Sequence, residues 1–570
     1  MLLRFKLFSF GLIAVFALLI ARLFYWQIVK GKELSEKARS QYQGGYSIEA
    51  RRGSILASDG TWLATSGKAY LVYASVPDLN ENSKKIAEKL APLFVDDAND
   101  HTLLLNEIDR IEKLLTKKDA VWIPLKHKVA PEIESKIKKL GLDGLGFEEE
   151  ERRIYPEASS AAQLMGFVGK DNEGMDEGYF GIEGFYNLPL SGKPGFFSRE
   201  KDARGLPILL GSANEISAIE GVDLLTHIDK TIQLDIDKKL LEGIRKYGAL
   251  GGTAIVMNPK DGGILAMSSY PSYDPVKYSE FSNEVFKNPA ISDSFEPGSV
   301  FKIIVMASAL DAGVISPETQ CDICRGPVQI DKYQIETWNQ KYYPDSSMTD
   351  VIVHSDNVGM VFVAQKLGVD KLYGYIENFG FGSPTGIDLQ GEASPRLRDK
   401  KDWGTVDLAV AGFGQGIAVT PIQMIQGASV IANKGIMVTP QVVDKIISDD
   451  KEEDIKPVRG KRVISEKAAR EITSMMVEAA KSGESKWTNT PGFKVAGKTG
   501  TAQIPISGHY DEEKTIASFV GFAPYDDPKF IMLITLREPT TSPWASETAA
   551  PLWYSIARDL FIYFGMQPAE

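Results

Sequence analysis

Strand patterns at both ends of the C-terminal half, with helical patterns between them, predict an α+β domain in which an antiparallel sheet packs against helices. Three observations carry this. Residues 253–257 and 264–268 are short apolar runs joined by the turn sequence Asn258-Pro259-Lys260-Asp261-Gly262-Gly263. Residues 493–503, 516–523 and 530–537 repeat the strand pattern near the other end. Residues 300–310, 357–367 and 421–432 carry helical apolar spacing. Ahead of this domain the reading places an extended, mainly-β region, and ahead of that one apolar span.

The apolar span comes first in the chain. Residues 7–29 hold a single charge, Arg22, and are long enough to cross a hydrocarbon layer of about 30 Å as a helix. Arg22 lies near one end, where its stem reaches the headgroups, beside Tyr25 and Trp26, which suit that interface. A cleaved signal peptide needs small residues after its apolar core. Arg22-Leu23-Phe24-Tyr25-Trp26 stands there instead, so a retained anchor is expected. Lys30, Lys32, Lys37 and Arg39 follow the span while Arg4 and Lys6 precede it, so basic residues do not orient it.

In the extended region, Asp59-Gly60 between residues 54–57 and 61–64 reads as a hairpin with a type I′ turn. Residues 83–94 and 103–115 read as helices. The acidic tract 148–151 reads as a solvated face, and the glycine-rich stretch 166–195 as irregular structure between short strands. The acidic run 449–454 reads as an exposed loop.

Composition narrows the function classes. The 570 residues hold 64 Lys+Arg against 76 Asp+Glu, a net charge of −12, which argues against a nucleic-acid binder. Hydrophobic residues at 43% and charged residues at 25% exclude wholesale disorder. Two cysteines exclude a disulfide scaffold, and five scattered histidines argue against a His-rich metal centre. The length sets a prior of roughly two to four domains.

Three short motifs then fall in order within the last domain. Ser299-Val300-Phe301-Lys302, entered through Glu296-Pro297-Gly298, places a serine at a helix start with a lysine three residues on, on the same face. The apolar run Ile303-Ile304-Val305-Met306 implies burial, which lowers the lysine pKa toward that of a usable base. Ser355-Asp356-Asn357 stands before a helix. Lys498-Thr499-Gly500-Thr501 stands in a strand, where Lys498 and Thr499 offer a charge and a donor to a carboxylate, and Gly500 would let a substrate backbone approach. Taken singly, each reads more simply as a cap, a polar turn or an edge strand. Together they supply a nucleophile, a base, a second proton-transfer group and an anion anchor, which is what acyl transfer on a peptide end requires.

The trio S-x-x-K, S-D-N and K-T-G is a known signature of penicillin-binding proteins and class A β-lactamases. With Arg52-Gly53-Ser54-Ile55, Arg153-Ile154-Tyr155-Pro156, Gly181-Ile182-Glu183, Leu190-Ser191-Gly192, Gly414-Gln415-Gly416 and Thr420-Pro421-Ile422-Gln423, the chain resembles the class B penicillin-binding proteins over nearly its whole length. The anchor running into Trp26-Gln27-Ile28-Val29-Lys30-Gly31 is similar too.

That resemblance implies a monofunctional D,D-transpeptidase that cross-links peptidoglycan, with a β-lactamase-like transpeptidase domain on an elongated pedestal. It implies residues 1–6 as a cytoplasmic tail, 7–29 as the transmembrane anchor, 30–247 as the pedestal and 248–570 as the transpeptidase domain, held outside the cell (inner) membrane. No transglycosylase domain or C-terminal repeat module is expected. Ser299 would attack the D-Ala–D-Ala bond of a stem peptide, with Lys302 as base and Ser355 relaying the proton. Asn357 would hold the peptide carbonyl; Lys498, Thr499, Gly500 and Thr501 would form the carboxylate site. The backbone N–H groups of Ser299 and Thr501 would form the oxyanion hole. No metal or other cofactor is expected, β-lactams should acylate Ser299, and the pedestal should dock a SEDS-family glycan polymerase and other wall-synthesis membrane proteins.

A β-lactamase has no use for the long N-terminal region. A β-lactam sensor would need a signalling domain, for which six residues before the span leave no room, and an intact trio gives no reason to choose an inactive scaffold. The compact pedestal leans toward the division type over the elongation type. Cys321-Asp322-Ile323-Cys324 stays open among buried thiols, a local disulfide and half of a zinc site with His354 as an outside candidate.

Overall fold

The computed structural model describes residues 2–31, 34, 43–118, 120–157, 160–200, 213–448, 451–506 and 509–568. The chain forms two compact units, one of residues 1–52 and 191–221 and one of residues 53–190 and 222–570.

In the first unit, helix Leu2–Phe24 runs into a π-helical turn, Tyr25–Val29. The stretch Phe5–Val29 is long and apolar enough to cross a membrane, and side chains such as Phe8 and Leu18 are exposed along it. Arg22 lies over the Trp26 ring, 5.3 Å from its centroid. The same unit holds a three-stranded antiparallel sheet, with Gly195–Glu200 between Gln43–Ile48 and Ala213–Ile216.

The second unit contains a long strand, Trp62–Ser75, paired antiparallel with both Trp122–Val129 and Leu145–Ile154. Ile86 and Leu90 of helix Ser83–Phe94, Ile111 of His101–Leu115 and Ile137 of Pro131–Lys139 bury one face of this sheet. The acidic tract lies on the Leu145–Ile154 strand, where Glu149 meets Lys68 at 2.6 Å across the pair. The turn at Asp59-Gly60 differs from the type I′ expectation. Only Gly60 has positive φ (80°), and the Gly60 N–H donates to the Ala57 carbonyl, giving a three-residue loop with a bulge. The Asp59 carboxylate accepts from both the backbone and the hydroxyl of Thr61.

This sheet does not end with the N-terminal region. Ile55–Leu56 pairs in parallel with Asp223–Thr226, which pairs antiparallel with Val443–Ser448. Lys451–Asp454 then pairs with Val443–Ser448, so the described part of the acidic run is an exposed edge strand where a loop was expected. Its four charged residues suit an edge exposed to water.

Three of the motifs noted above meet in the same region. Arg153 Nε donates to Glu183 Oε1 at 2.6 Å, with the two side chains 5% and 0% exposed, and Arg153 Nη1 donates to the Gly53 carbonyl at 2.6 Å. Removing one member of a buried pair strands the other charge. Glu183→Ala is therefore expected to destabilise the protein by about 3–5 kcal/mol. Urea unfolding of the detergent-solubilised protein checks this; a loss below about 1 kcal/mol would mean that Arg153 finds another partner.

The C-terminal sheet has five strands: β1 (Gly251–Met257), β2 (Ile264–Tyr270), β3 (Ala496–Ile506), β4 (His509–Ala523) and β5 (Phe530–Arg537). They run in the order β2-β1-β5-β4-β3, with every neighbouring pair antiparallel. Helices α1 (Lys230–Tyr247) and α6 (Ala549–Tyr563) cover one face. Helices α2 (Lys302–Asp311), α3 (Asn357–Asn378), α4 (Pro421–Ala432) and α5 (Glu466–Ser482) form the layer on the other. Alternate residues of β5 divide between the two cores: Ile531 and Leu533 face α2–α5, while Met532 and Ile534 face α1 and α6. Burial on both faces is why this strand reads as an unbroken apolar run. Ile232, Ile236, Leu240 and Ile244 of α1 share their core with the sheet, so this layer starts ahead of the boundary drawn at residue 248. α3 runs past its expected end at 367, with a break at Gly368 (φ 74°).

Candidate active site

The edge strand β3, the turn before α2 and the loop before α3 converge on one cleft. Ser299 lies in a short 3₁₀ turn, Gly298–Phe301, and Lys302 is the first residue of α2 proper. The turn is clamped from two sides. The Gly298 N–H donates to the Gly414 carbonyl at 3.0 Å, and a Cβ on Gly414 would come within 2.2 Å of the Gly298 oxygen. That close approach requires glycine at 414, and its φ of +81° suits no other residue well.

Gly500 has a packing role. A Cβ there would meet Val300 Cγ1 at 2.8 Å and Val300 N at 3.0 Å. Its missing side chain makes room for the Ser299 turn against β3, a packing demand separate from the expected approach of a substrate backbone. One face of the strand packs on that turn.

Lys302 is fully buried, and its amine is held by three acceptors: the Ser355 carbonyl at 2.6 Å, Asn357 Oδ1 at 2.7 Å and Ser355 Oγ at 3.3 Å. Burial, reinforced by the nearby Lys498 charge, lowers its pKa to about 7, against the opposing pull of Glu484 and Asp356. Ser355 sits at φ 54°, left-handed backbone that costs roughly 1–2 kcal/mol in a residue with a Cβ. The strained turn aims its carbonyl at Lys302.

Asp356, the middle residue of the second motif, points away from this network. Its carboxylate caps α3, accepting from the Val358 and Gly359 N–H groups at 2.8 and 3.1 Å. The capping reading of the motif thus holds for Asp356, while its two neighbours turn to Lys302.

Lys498, also buried, donates to Ser355 Oγ at 3.0 Å and to Thr499 Oγ1 at 3.1 Å, and burial lowers its pKa too. The Ser355 hydroxyl therefore accepts from both lysines and keeps its own proton to give. Thr501 Oγ1 accepts from the Ala545 N–H at 3.0 Å. Asn357 Nδ2 donates one of its two protons to the Glu336 carbonyl, leaving the other for a ligand.

Ser299, Ser355, Asn357 and Thr501 line one cleft of about 100 Å³ with Trp338, Phe413, Gln415, Glu484 and Trp544. The Trp338 and Trp544 rings meet at its rim, centroids 5.1 Å apart. No hydrogen bond joins Ser299 to Lys302 among the described residues.

The motif reading missed Trp338, Trp544 and Glu484. Glu484 lies 14 residues before Lys498 in an unremarkable polar stretch, and only the packing of α5 against β3 brings it to Thr499. Cys321 and Cys324 form a disulfide, Cα atoms 5.5 Å apart, which removes the readings of free thiols and of zinc ligands. His354 stacks on Tyr343, ring centroids 4.0 Å apart.

The family model described as "Penicillin binding protein transpeptidase domain" matches residues 252–560, and "Penicillin-binding Protein dimerisation domain" matches residues 47–226. The chain is 33% identical to Stage V sporulation protein D of Bacillus subtilis, over 98% of this chain and 85% of that relative. It is 31% identical to peptidoglycan D,D-transpeptidase FtsI of Buchnera aphidicola subsp. Baizongia pistaciae, over 78% of this chain and 76% of the relative. In fold it is similar to penicillin-binding protein 2X from Streptococcus thermophilus, with a TM-score of 0.74 at 24% identity, covering 91% of this chain and 80% of that one.

Proposed function

Because this chain belongs to the class B penicillin-binding proteins and is a serine-type peptidoglycan D,D-transpeptidase of cell-wall synthesis, we propose that Ser299 is its nucleophile and that the cleft above is where a stem peptide becomes an acyl-enzyme. The single observation that carries this is the hydrogen-bonded chain Lys302–Ser355–Lys498 along the wall of a cleft that Ser299 shares.

In this reading Ser299 Oγ attacks the carbonyl of the penultimate D-Ala, and the neutral Lys302 amine takes its proton. The backbone N–H groups of Ser299 and Thr501 stabilise the oxyanion, single donors of this kind being worth about 3 kcal/mol. As the D-Ala–D-Ala bond breaks, Ser355 passes its proton to the leaving amine and recovers one from Lys302. The free Asn357 amide proton holds the peptide carbonyl, while Lys498, Thr499 and Thr501 hold the terminal carboxylate. Free D-Ala departs, and the amine of a second stem peptide attacks the ester, releasing Ser299 and forming the cross-link. β-Lactams acylate the same serine.

Residues 7–29, within the apolar stretch Phe5–Val29, act as a single-pass anchor with residues 1–6 in the cytoplasm and the catalytic domain outside the inner membrane. The Cys321–Cys324 disulfide supports that placement, since such bonds persist in oxidising compartments. The N-terminal region, residues 30–247, docks a SEDS-family glycan polymerase. The similarity to an FtsI protein supports a role at the division septum. The match to a sporulation protein over 98% of the chain favours a second reading, service during spore formation.

The test uses purified protein, a stem peptide ending in D-Ala–D-Ala and an amine acceptor. The expected result is release of D-Ala together with a cross-linked product, and a persistent mass adduct with penicillin. Penicillin consumed without a lasting adduct would make the protein a hydrolase. Depletion in growing cells separates the two cellular roles: filamentation supports the septal one, normal growth with defective spores the other.

A further inference from the structure

Glu484 occupies the carboxylate end of the cleft, and no step above uses it. Its Oε2 accepts the Thr499 hydroxyl proton at 2.7 Å. A threonine has one such proton, so Thr499 cannot serve Glu484 and a substrate at once. Lys498 Nζ completes the arrangement, donating to Thr499 Oγ1 at 3.1 Å and to Ser355 Oγ at 3.0 Å. An acid of the protein thus already makes the contacts that a donor's terminal carboxylate would make with Thr499.

The charged groups in its field are Lys498 of β3 and Lys302 of α2, with Asp356 at the α3 cap also acting on Lys302. Thr501 differs from Thr499. Its oxygen accepts from Ala545, and among the described residues its own proton is uncommitted, so it is the hydroxyl that can meet an incoming carboxylate first.

We propose that Glu484 is a resident anion of the carboxylate pocket, holding the Thr499 hydroxyl and balancing Lys498 until the donor's carboxylate displaces it from Thr499. Two carboxylates beside one lysine repel, so Glu484 weakens the advantage that a carboxylate-bearing acyl donor has over an uncharged one. It acts through Thr499 and Lys498, which makes it a positioning residue. This rests on the reading of Ser299 as nucleophile and names what that site selects.

The experiment measures acylation of the full-length, detergent-solubilised protein by benzylpenicillin and by its methyl ester, which lacks the carboxylate. Wild type, Glu484→Gln and Glu484→Asp are compared across pH. Glutamine still accepts from Thr499 but removes the charge. The preference for the acid over the ester should rise about tenfold in Glu484→Gln. Its acid limb should also move to lower pH, because Lys302 loses an anion that favours its protonated form. Glu484→Asp keeps the charge and should stay near wild type.

An unchanged preference with an unmoved acid limb overturns the proposal. So does an equal loss on both probes accompanied by a lower melting temperature, which would assign Glu484 a purely structural role. Wild type that forms no adduct at Ser299 overturns the nucleophile reading and this proposal with it, a result distinct from an acylated wild type whose variants do not differ.

Discussion

Ser299→Ala protein, incubated with penicillin, is expected to carry no covalent adduct in its intact mass, while the wild type should gain one drug molecule that persists. The reason is geometric. Ser299 shares its cleft with Ser355, Asn357 and Thr501, and the amines of Lys302 and Lys498 are buried in hydrogen bonds. Alanine at the start of a turn clamped by Gly414 removes one oxygen and leaves the Gly298–Phe301 backbone in place. Transpeptidation should fall on the order of 10⁶-fold, the cost of deleting the nucleophile of a serine enzyme. Binding should survive, because the Lys498 and Thr501 contacts are intact. An adduct on Ser299→Ala would place the nucleophile elsewhere in the cleft, with Ser355 the first residue to examine.

The second large effect concerns Lys302, and it has two signs. Lys302→Met should cut acylation by about 10²–10⁴-fold, the usual worth of a general base. With Lys302 as the proposed base, the neutral amine is the active form, so acylation should fall about tenfold for each pH unit below about 7. Stability moves the other way. The folded lysine has its pKa lowered from 10.5 to about 7, so between those values the unfolded chain binds more protons than the folded one. Wild-type stability therefore rises with pH across that window, and below it the protein bears the full cost of burying the charge. Lys302→Met lacks this slope, and at pH 7 it should be more stable than wild type while nearly inactive. Urea unfolding at several pH values, paired with acylation rates, checks both halves. A variant that is inactive and also less stable would mean that the hydrogen bonds of the amine to Ser355 and Asn357 outweigh its desolvation.

Much of the fold is legible in the sequence. Strand Phe530–Arg537 and helix Pro421–Ala432 lie where the apolar pattern placed them, because a doubly buried strand and a helix with a Thr420–Gln423 capping box are written in consecutive residues. Motif order identified the chemistry for the same reason: each motif is a local segment with a local backbone preference. The failures share an opposite cause. The Asp59-Gly60 loop took a bulged form within its hairpin, and Val443–Ser448 joined a sheet begun almost four hundred residues earlier.

By itself the sequence determined which side chains could do acyl transfer and that the chain carries an apolar span able to anchor it. Tertiary structure alone decided how those side chains share protons. The Lys302 amine has a lowered pKa because helices and β3 exclude water from it, Gly500 is needed because the Ser299 turn presses on it, and Glu484 reaches Thr499 only through the packing of α5 on β3. Desolvation and hydrogen-bond choice depend on everything within a few ångströms, and residues that close are supplied by segments far apart in the chain.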